Sequence, residues 1–288
     1  MNNFFRQFKA IYFHLILLIL TSTWHSSAQA KSPQNNEEII FGVLPIVSTE
    51  RLVKRFSPLA TYLSKQLKIP VRMETAPSYR EFLRRTIEEK RYDILLTAPH
   101  FYYLANKNAG YKVIVSVDRP DMHLLIVTRT ASKIKTTRDL KGHKLATIDS
   151  LSLGTVLLRQ HLTRAGINPD RDIQIIETPT HNASLLSAYK GVTDAAALMV
   201  SPFNRAKLSV RENMRIIDKT AGTPTIPISV ASRVPINQTK MITKLLIELK
   251  NHEHGKLLLE KMGWPGFKIT DNEQYEQLKD LAEQLTLK

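Results

Sequence analysis

The stretch Lys144-Leu145-Ala146-Thr147-Ile148-Asp149-Ser150-Leu151-Ser152-Leu153-Gly154-Thr155 decides the fold. Residues 144–148 read as a short apolar strand. The polar turn after it delivers hydroxyls to the start of a helix predicted over 152–165 and closed by Gly166. A strand that feeds directly into a helix is half of a βαβ unit, and the same grammar recurs in both directions along the chain. Before it, strands are predicted at 39–44, 71–75, 93–96, 113–117 and 124–128. Helices alternate with them: one from Ser57-Pro58 to residue 67, one opened by the capping box Ser78-Tyr79-Arg80-Glu81, and one begun by Pro99 and ended by Gly110. After it come a strand at 173–177, a helix at 182–189, strands at 195–200 and 214–218, and closing helices at 239–262 and 272–285. The chain is α/β, with two lobes. Thr223-Pro224-Thr225-Ile226-Pro227 is a stiff crossing back to the first lobe.

Composition narrows the chemistry. Of the 288 residues none is cysteine, which excludes disulfides, thiolate nucleophiles and thiolate metal sites. Lys and Arg total 41 against 26 acids, a formal charge of +15, which favours an anionic partner. The basic residues are spread over the chain, including Lys54, Arg55, Arg80, Arg84, Arg85, Arg205 and Arg211, and read as a solvated surface rather than a nucleic-acid stripe. His252-Glu253-His254 puts its histidines on different helix faces, so no metal is expected. No Gly-x-Ser-x-Gly, His-Glu-x-x-His, P-loop or Gly-x-Gly-x-x-Gly motif is present, and no enzyme activity or cofactor is expected.

The first thirty residues have the form of an export signal. Arg6 and Lys9 precede an apolar run of about a dozen residues, short of the ~20 that span a membrane, and Ala28-Gln29-Ala30 is a small-x-small cleavage site. Cleavage after Ala30 into the periplasm is expected.

In such folds ligands meet the loops that follow strands, at helix N-termini. The richest is Asp149–Thr155, where Ser150 and Ser152 join backbone N–H groups that suit an oxyanion; simple capping by either serine is the alternative. Taken in order, Ala76-Pro77-Ser78-Tyr79, Tyr92-Asp93-Ile94, Asp139-Leu140-Lys141-Gly142, Ser150-x-Ser152, His181, Thr193-Asp194-Ala195 and Gly263-Trp264-Pro265-Gly266-Phe267 resemble the phosphate, phosphite and phosphonate substrate-binding components of ABC transporters.

That resemblance implies a type II periplasmic binding protein, each lobe a mostly parallel sheet flanked by helices, joined by a two-strand hinge. The lobes are expected at 31–127 and 128–224, with 225–288 returning to the first lobe and ending in helices. It also implies ligand contacts from Tyr79, Ser150, Ser152, Thr155 and His181. The sequence departs from the family in two places. Leu153 intervenes before Gly154, and the family's second tyrosine is absent near Thr97, leaving Thr97 or His100 to stand in. Leu198-Met199-Val200-Ser201 lacks the acids that would hold an aminophosphonate. The expected function is capture of a small oxyanion by a monomer that delivers it to a membrane permease. The alternative is a ligand sensor feeding a membrane signalling partner.

Overall fold

The computed structural model describes residues 38–285, so the export signal lies outside the described residues. Among the described residues no helix is long and apolar enough to cross a membrane.

The first sheet begins with β1 (Ile39–Val43), whose unbroken apolar run is buried on both faces, as expected for a parallel strand covered by helices. β2 (Val71–Glu74) and β3 (Ile94–Leu96) pair with β1 in parallel. β4 (Lys112–Val117), β10 (Pro227–Val230) and β11 (Phe267–Ile269) complete the order β11-β4-β10-β3-β1-β2 through antiparallel pairings. The second sheet contains β5 (Leu124–Arg129), β6 (Lys144–Thr147), β7 (Gln174–Glu177), β8 (Ala195–Met199) and β9 (Met214–Lys219), in the order β7-β6-β8-β5-β9. Here β6 is parallel to β7 and β8, and β5 is antiparallel to β8 and β9. Two α/β lobes are present, but each sheet is mixed rather than mostly parallel. The strands that return across the hinge pair antiparallel with their neighbours.

The chain passes between sheets at residues 118–123 and 220–226. Met122 and Thr223 exchange backbone hydrogen bonds of 2.8 and 2.9 Å where the two crossings meet. Each face of the second sheet has its own core. Leu124 and Ile126 face Leu145, Leu158 and Leu162, whereas Leu125 and Val127 face Leu185, Ala188 and Phe203, following the two-residue period of a strand.

The helices are α1 (Thr49–Leu67), α2 (Tyr79–Ile87), α3 (Pro99–Ala109), α4 (Leu153–Arg164), α5 (His181–Tyr189), α6 (Val200–Asn204), α7 (Leu208–Arg211), α8 (Ile236–Glu248), α9 (Glu253–Met262), α10 (Glu273–Glu276) and α11 (Lys279–Glu283). α1 starts at Thr49, not at Pro58, because Leu52, Phe56, Leu59 and Leu63 form one buried stripe. Packing along that stripe outweighs the hydrogen bond missing at Pro58. The helix expected over 239–262 is two helices. His252 is extended, and Gly255 abuts the Leu249 carbonyl, where an added Cβ would lie 2.0 Å from the oxygen.

Candidate functional site

Three helices begin where strands of the two lobes end: α3 after β3, α4 after β6 and α5 after β7. Ser152 caps α4, its hydroxyl accepting the Thr155 N–H at 3.2 Å, and Thr180 caps α5 through the Ala183 N–H at 3.1 Å. The N–H groups of Leu153 and Gly154, the first two of α4, make no hydrogen bond among the described residues. With the helix dipole behind them, these amides are donors available to an anion.

Buried polar atoms of both lobes are likewise without partners. They include Thr97 Oγ1 just after β3, His100 Nδ1 in the first turn of α3, and His181 Nδ1 at the first position of α5. His100 is fully buried and reaches across to the other lobe, its Nε2 lying 2.9 Å from the Leu151 carbonyl oxygen. Burial lowers its pKa to about 4, against the opposing pull of that carbonyl. The ring is therefore neutral at physiological pH, Nε2 carries the hydrogen donated to Leu151, and Nδ1 is a bare acceptor. His181 is also held neutral, its pKa lowered to about 4 by burial and then by the charge of Arg205.

His181 lies against the start of α4. A Cβ added to Gly154 would be 3.5 Å from His181 Cε1, ordinary contact distance, and 3.2 Å from Leu124 Cδ1, so the imidazole packs directly over the first turn of α4. Tyr79 opens α2 and meets Phe101 edge to face at a centroid distance of 6.0 Å. Burial, then the nearby charge of Asp149 in the other lobe, pushes its phenol well above the ordinary range, so it remains a donor.

The serine-rich loop is used differently from the expectation based on hydroxyls. Ser152 Oγ donates to Thr155 Oγ1 at 3.1 Å, and Thr155 Oγ1 donates to the Ile148 carbonyl at 2.8 Å. These two buried groups stabilise the turn. Ser150 is exposed, and its N–H donates to the Glu177 carboxylate. Asp149 Oδ1 accepts the Leu151 N–H at 2.8 Å. Burial, followed by Glu177, raises its pKa against the Leu151 bond and Arg80. The structure thus brings His181 together with the α4 amides and His100 with the loop, and leaves Ser150 exposed with its N–H bonded to Glu177. The inserted Leu153 is buried against Leu281 of α11, and Leu151 enters the first-lobe core.

Spacing along the chain gives no sign of one further group. In α1, Arg55 donates from Nε to the Met262 carbonyl at 2.8 Å and also from Nη2 to the same oxygen, while Arg119, in the first crossing, donates from Nη2 to the neighbouring Gly263 carbonyl. Both guanidiniums thereby cap the end of α9. Arg205 follows α6 at the carboxyl end of β8, and its side chain has no ion pair or hydrogen bond among the described residues.

The family model for the ABC transporter phosphonate periplasmic substrate-binding protein matches residues 41–275. A binding protein component of an ABC phosphonate transporter from Pseudomonas aeruginosa has a similar structure (TM-score 0.72, 17% identity, 85% of each chain covered). So has PhnD1 from Prochlorococcus marinus in complex with methylphosphonate (TM-score 0.74, 16% identity, 88% of this chain and 98% of that one). A Xanthomonas citri protein bound to ATP aligns with a TM-score of 0.74 at 17% identity, over 86% of this chain and 96% of that one. At these identities the structural likenesses establish a shared fold, and the match along most of the sequence establishes kinship. The chain belongs to the periplasmic phosphonate substrate-binding protein family of ABC transporters.

Proposed function

We propose that this protein captures a small phosphorus oxyanion between its lobes and presents it to a membrane permease. The head group would be held by the Leu153 and Gly154 amides and His181, with Tyr79, Thr97 and His100 completing the shell from the first lobe. The observation that carries this reading is the set of unpartnered donors and acceptors at strand ends of both lobes, on one side or the other of the 149–155 loop. A buried polar group without a partner costs on the order of 1–3 kcal/mol, and a ligand that satisfies several at once recovers that energy on binding. Charge-assisted bonds to amides add to it. Methylphosphonate in the similar Prochlorococcus protein supports this choice of head group.

Further elements belong to the same proposal. Strand membership supports lobe limits at the crossings 118–123 and 220–226, close to the expected 127/128 and 224/225. Export with removal of residues 1–30, a monomeric state and binding without turnover complete it. In the cleft Ser152 and Thr155 act as scaffold for the amides, and Ser150 contributes at the rim.

Calorimetric titration with methylphosphonate, phosphite, phosphate and sulfate tests the reading. At least one phosphorus oxyanion is expected to bind with a Kd of about 1 μM or tighter, with His181→Ala weakening it about tenfold or more. The bound compound should be recovered unchanged. Absence of binding by all three phosphorus oxyanions would overturn the proposal.

A further inference from the structure

The loop that leads into α4 is fastened twice, to its own lobe and to the other one. Within the second lobe the fastening is by hydrogen bonds. The Ser150 N–H donates to Glu177 at the end of β7, Asp149 Oδ1 accepts the Leu151 N–H at 2.8 Å, and Thr155 Oγ1 donates to the Ile148 carbonyl at 2.8 Å. Ser152 caps the helix, so each residue from Ile148 to Ser152 is tied within its own lobe.

Across the cleft the same loop meets the first lobe at Leu151. Its carbonyl accepts the His100 Nε2 hydrogen at 2.9 Å, and its side chain is buried in the first-lobe core. Among the described residues buried in that core, Leu151 is the only one that comes from the second lobe. Two positions on, Leu153 begins the separate contact with Leu281 of α11.

These attachments decide how Leu151 can leave. A loose loop could withdraw one side chain by rotating a few backbone bonds. Here the bonds to Glu177, Asp149 and Ile148 oppose local rotation, so the leucine leaves the first lobe when the second lobe moves away as a body. That movement returns apolar surface to water and breaks the bond to His100, so both terms favour the closed form. The Leu153 and Gly154 amides lie two and three residues further along the same turn and travel with it.

We infer that Leu151 is a latch: the chain's own contacts hold the lobes together at rest, and the ligand enters during openings in which this side chain leaves the first-lobe core. The hold stands on contacts that need no ligand, while the entry step rests on the head-group reading above. Binding then adds to a closure that already exists instead of creating it, and the open form is the minor one.

The chain has no cysteine, so a pair of spin labels can be placed at Lys65→Cys in α1 and Lys190→Cys after α5, exposed positions of the two lobes. Distance measurement between the labels should give a single dominant separation in the otherwise wild-type protein without ligand. Leu151→Ala should raise the share of molecules at a second separation about tenfold or more, with Leu151→Val, a gentler truncation, in between. Leu258→Ala, which removes a leucine of α9 from the first-lobe core, should leave the distribution unchanged. Saturating methylphosphonate, phosphite or phosphate should leave the wild type as it was and return Leu151→Ala to the wild-type separation. A wild-type separation that shifts when an anion is added, or a Leu151→Ala distribution identical to that of the wild type, would overturn the latch. If Leu151→Ala opens and none of the three anions closes it, the latch stands and the head-group reading falls.

Discussion

Gly42 shows how much one residue determines. It lies in β1 directly beneath the Tyr92 ring, where an added Cβ would be 2.3 Å from Cγ. That ring is in turn stacked on Phe82 at a centroid distance of 4.9 Å and is fully buried. Gly42→Ala should destabilise the protein by about 1–3 kcal/mol through overpacking. An unchanged thermal midpoint would show that the ring can move aside at little cost. Individual residues were also where the sequence was least legible. The Tyr79 turn, the Ser152 cap, Gly110 and Gly166 follow local rules and could be read directly. By contrast, how each hydroxyl of the Ser150–Thr155 turn is used depends on long-range contacts such as Glu177 to Ser150, 27 positions apart, and no local pattern encodes them. Arg55 and Arg119, which meet at the end of α9, were obscured for the same reason: in a chain this basic, members of a scattered set carry no periodic mark.

Among the elements, one of the short helices is the most informative. α11 has five residues, yet Leu281 packs with Leu153, Val156 and Leu157 of α4 in the second lobe while the same helix lies along α3 in the first. The C-terminal segment therefore ties the lobes together independently of the hinge. Leu281→Ala removes a buried side chain, a change that typically costs about 2–5 kcal/mol, and here part of that energy opposes opening. The ligand-free variant should show a larger radius of gyration by small-angle scattering than the wild type. Leu258→Ala, in the first-lobe core, should lose stability with no such expansion. Equal radii in wild type and Leu281→Ala would remove the tie. The sequence indicated a terminal helix at about the right place but gave no sign that its apolar face served the opposite lobe. The inserted Leu153, a departure from the family pattern, finds its explanation here as the other half of that contact.

At the scale of the whole molecule, acidity should act through the two buried histidines. Both have folded pKa values of about 4, below the ordinary 6.5, so as pH falls the unfolded chain takes up protons first. Their contribution to stability is intact above pH 6.5 and declines as pH drops toward 4, with a slope of up to ~1.4 kcal/mol per pH unit for each proton. Denaturant melts across this window should show the decline. The double variant His100→Asn/His181→Asn should show a shallower one; equal slopes would mean that neither ring titrates as its burial implies. The alternation of strands and helices made the two-lobed architecture legible from sequence, because hydrophobic period and turn chemistry agree along most of the chain. The mixed direction of the sheets was not legible, since short apolar strands such as Pro227–Val230 look the same whichever way they pair.

The bond from His100 to the Leu151 carbonyl has a chemical corollary. By spending its only hydrogen there, the imidazole keeps a naked lone pair on its other nitrogen, and any guest atom that settles against that pair must arrive with a hydrogen of its own. A half-ionised phosphonic acid has one to offer on its P–OH. A sulfonate or sulfate head, stripped of protons at neutral pH, has none, so in the proposed site this fixed tautomer would favour a phosphorus acid over its sulfur counterpart.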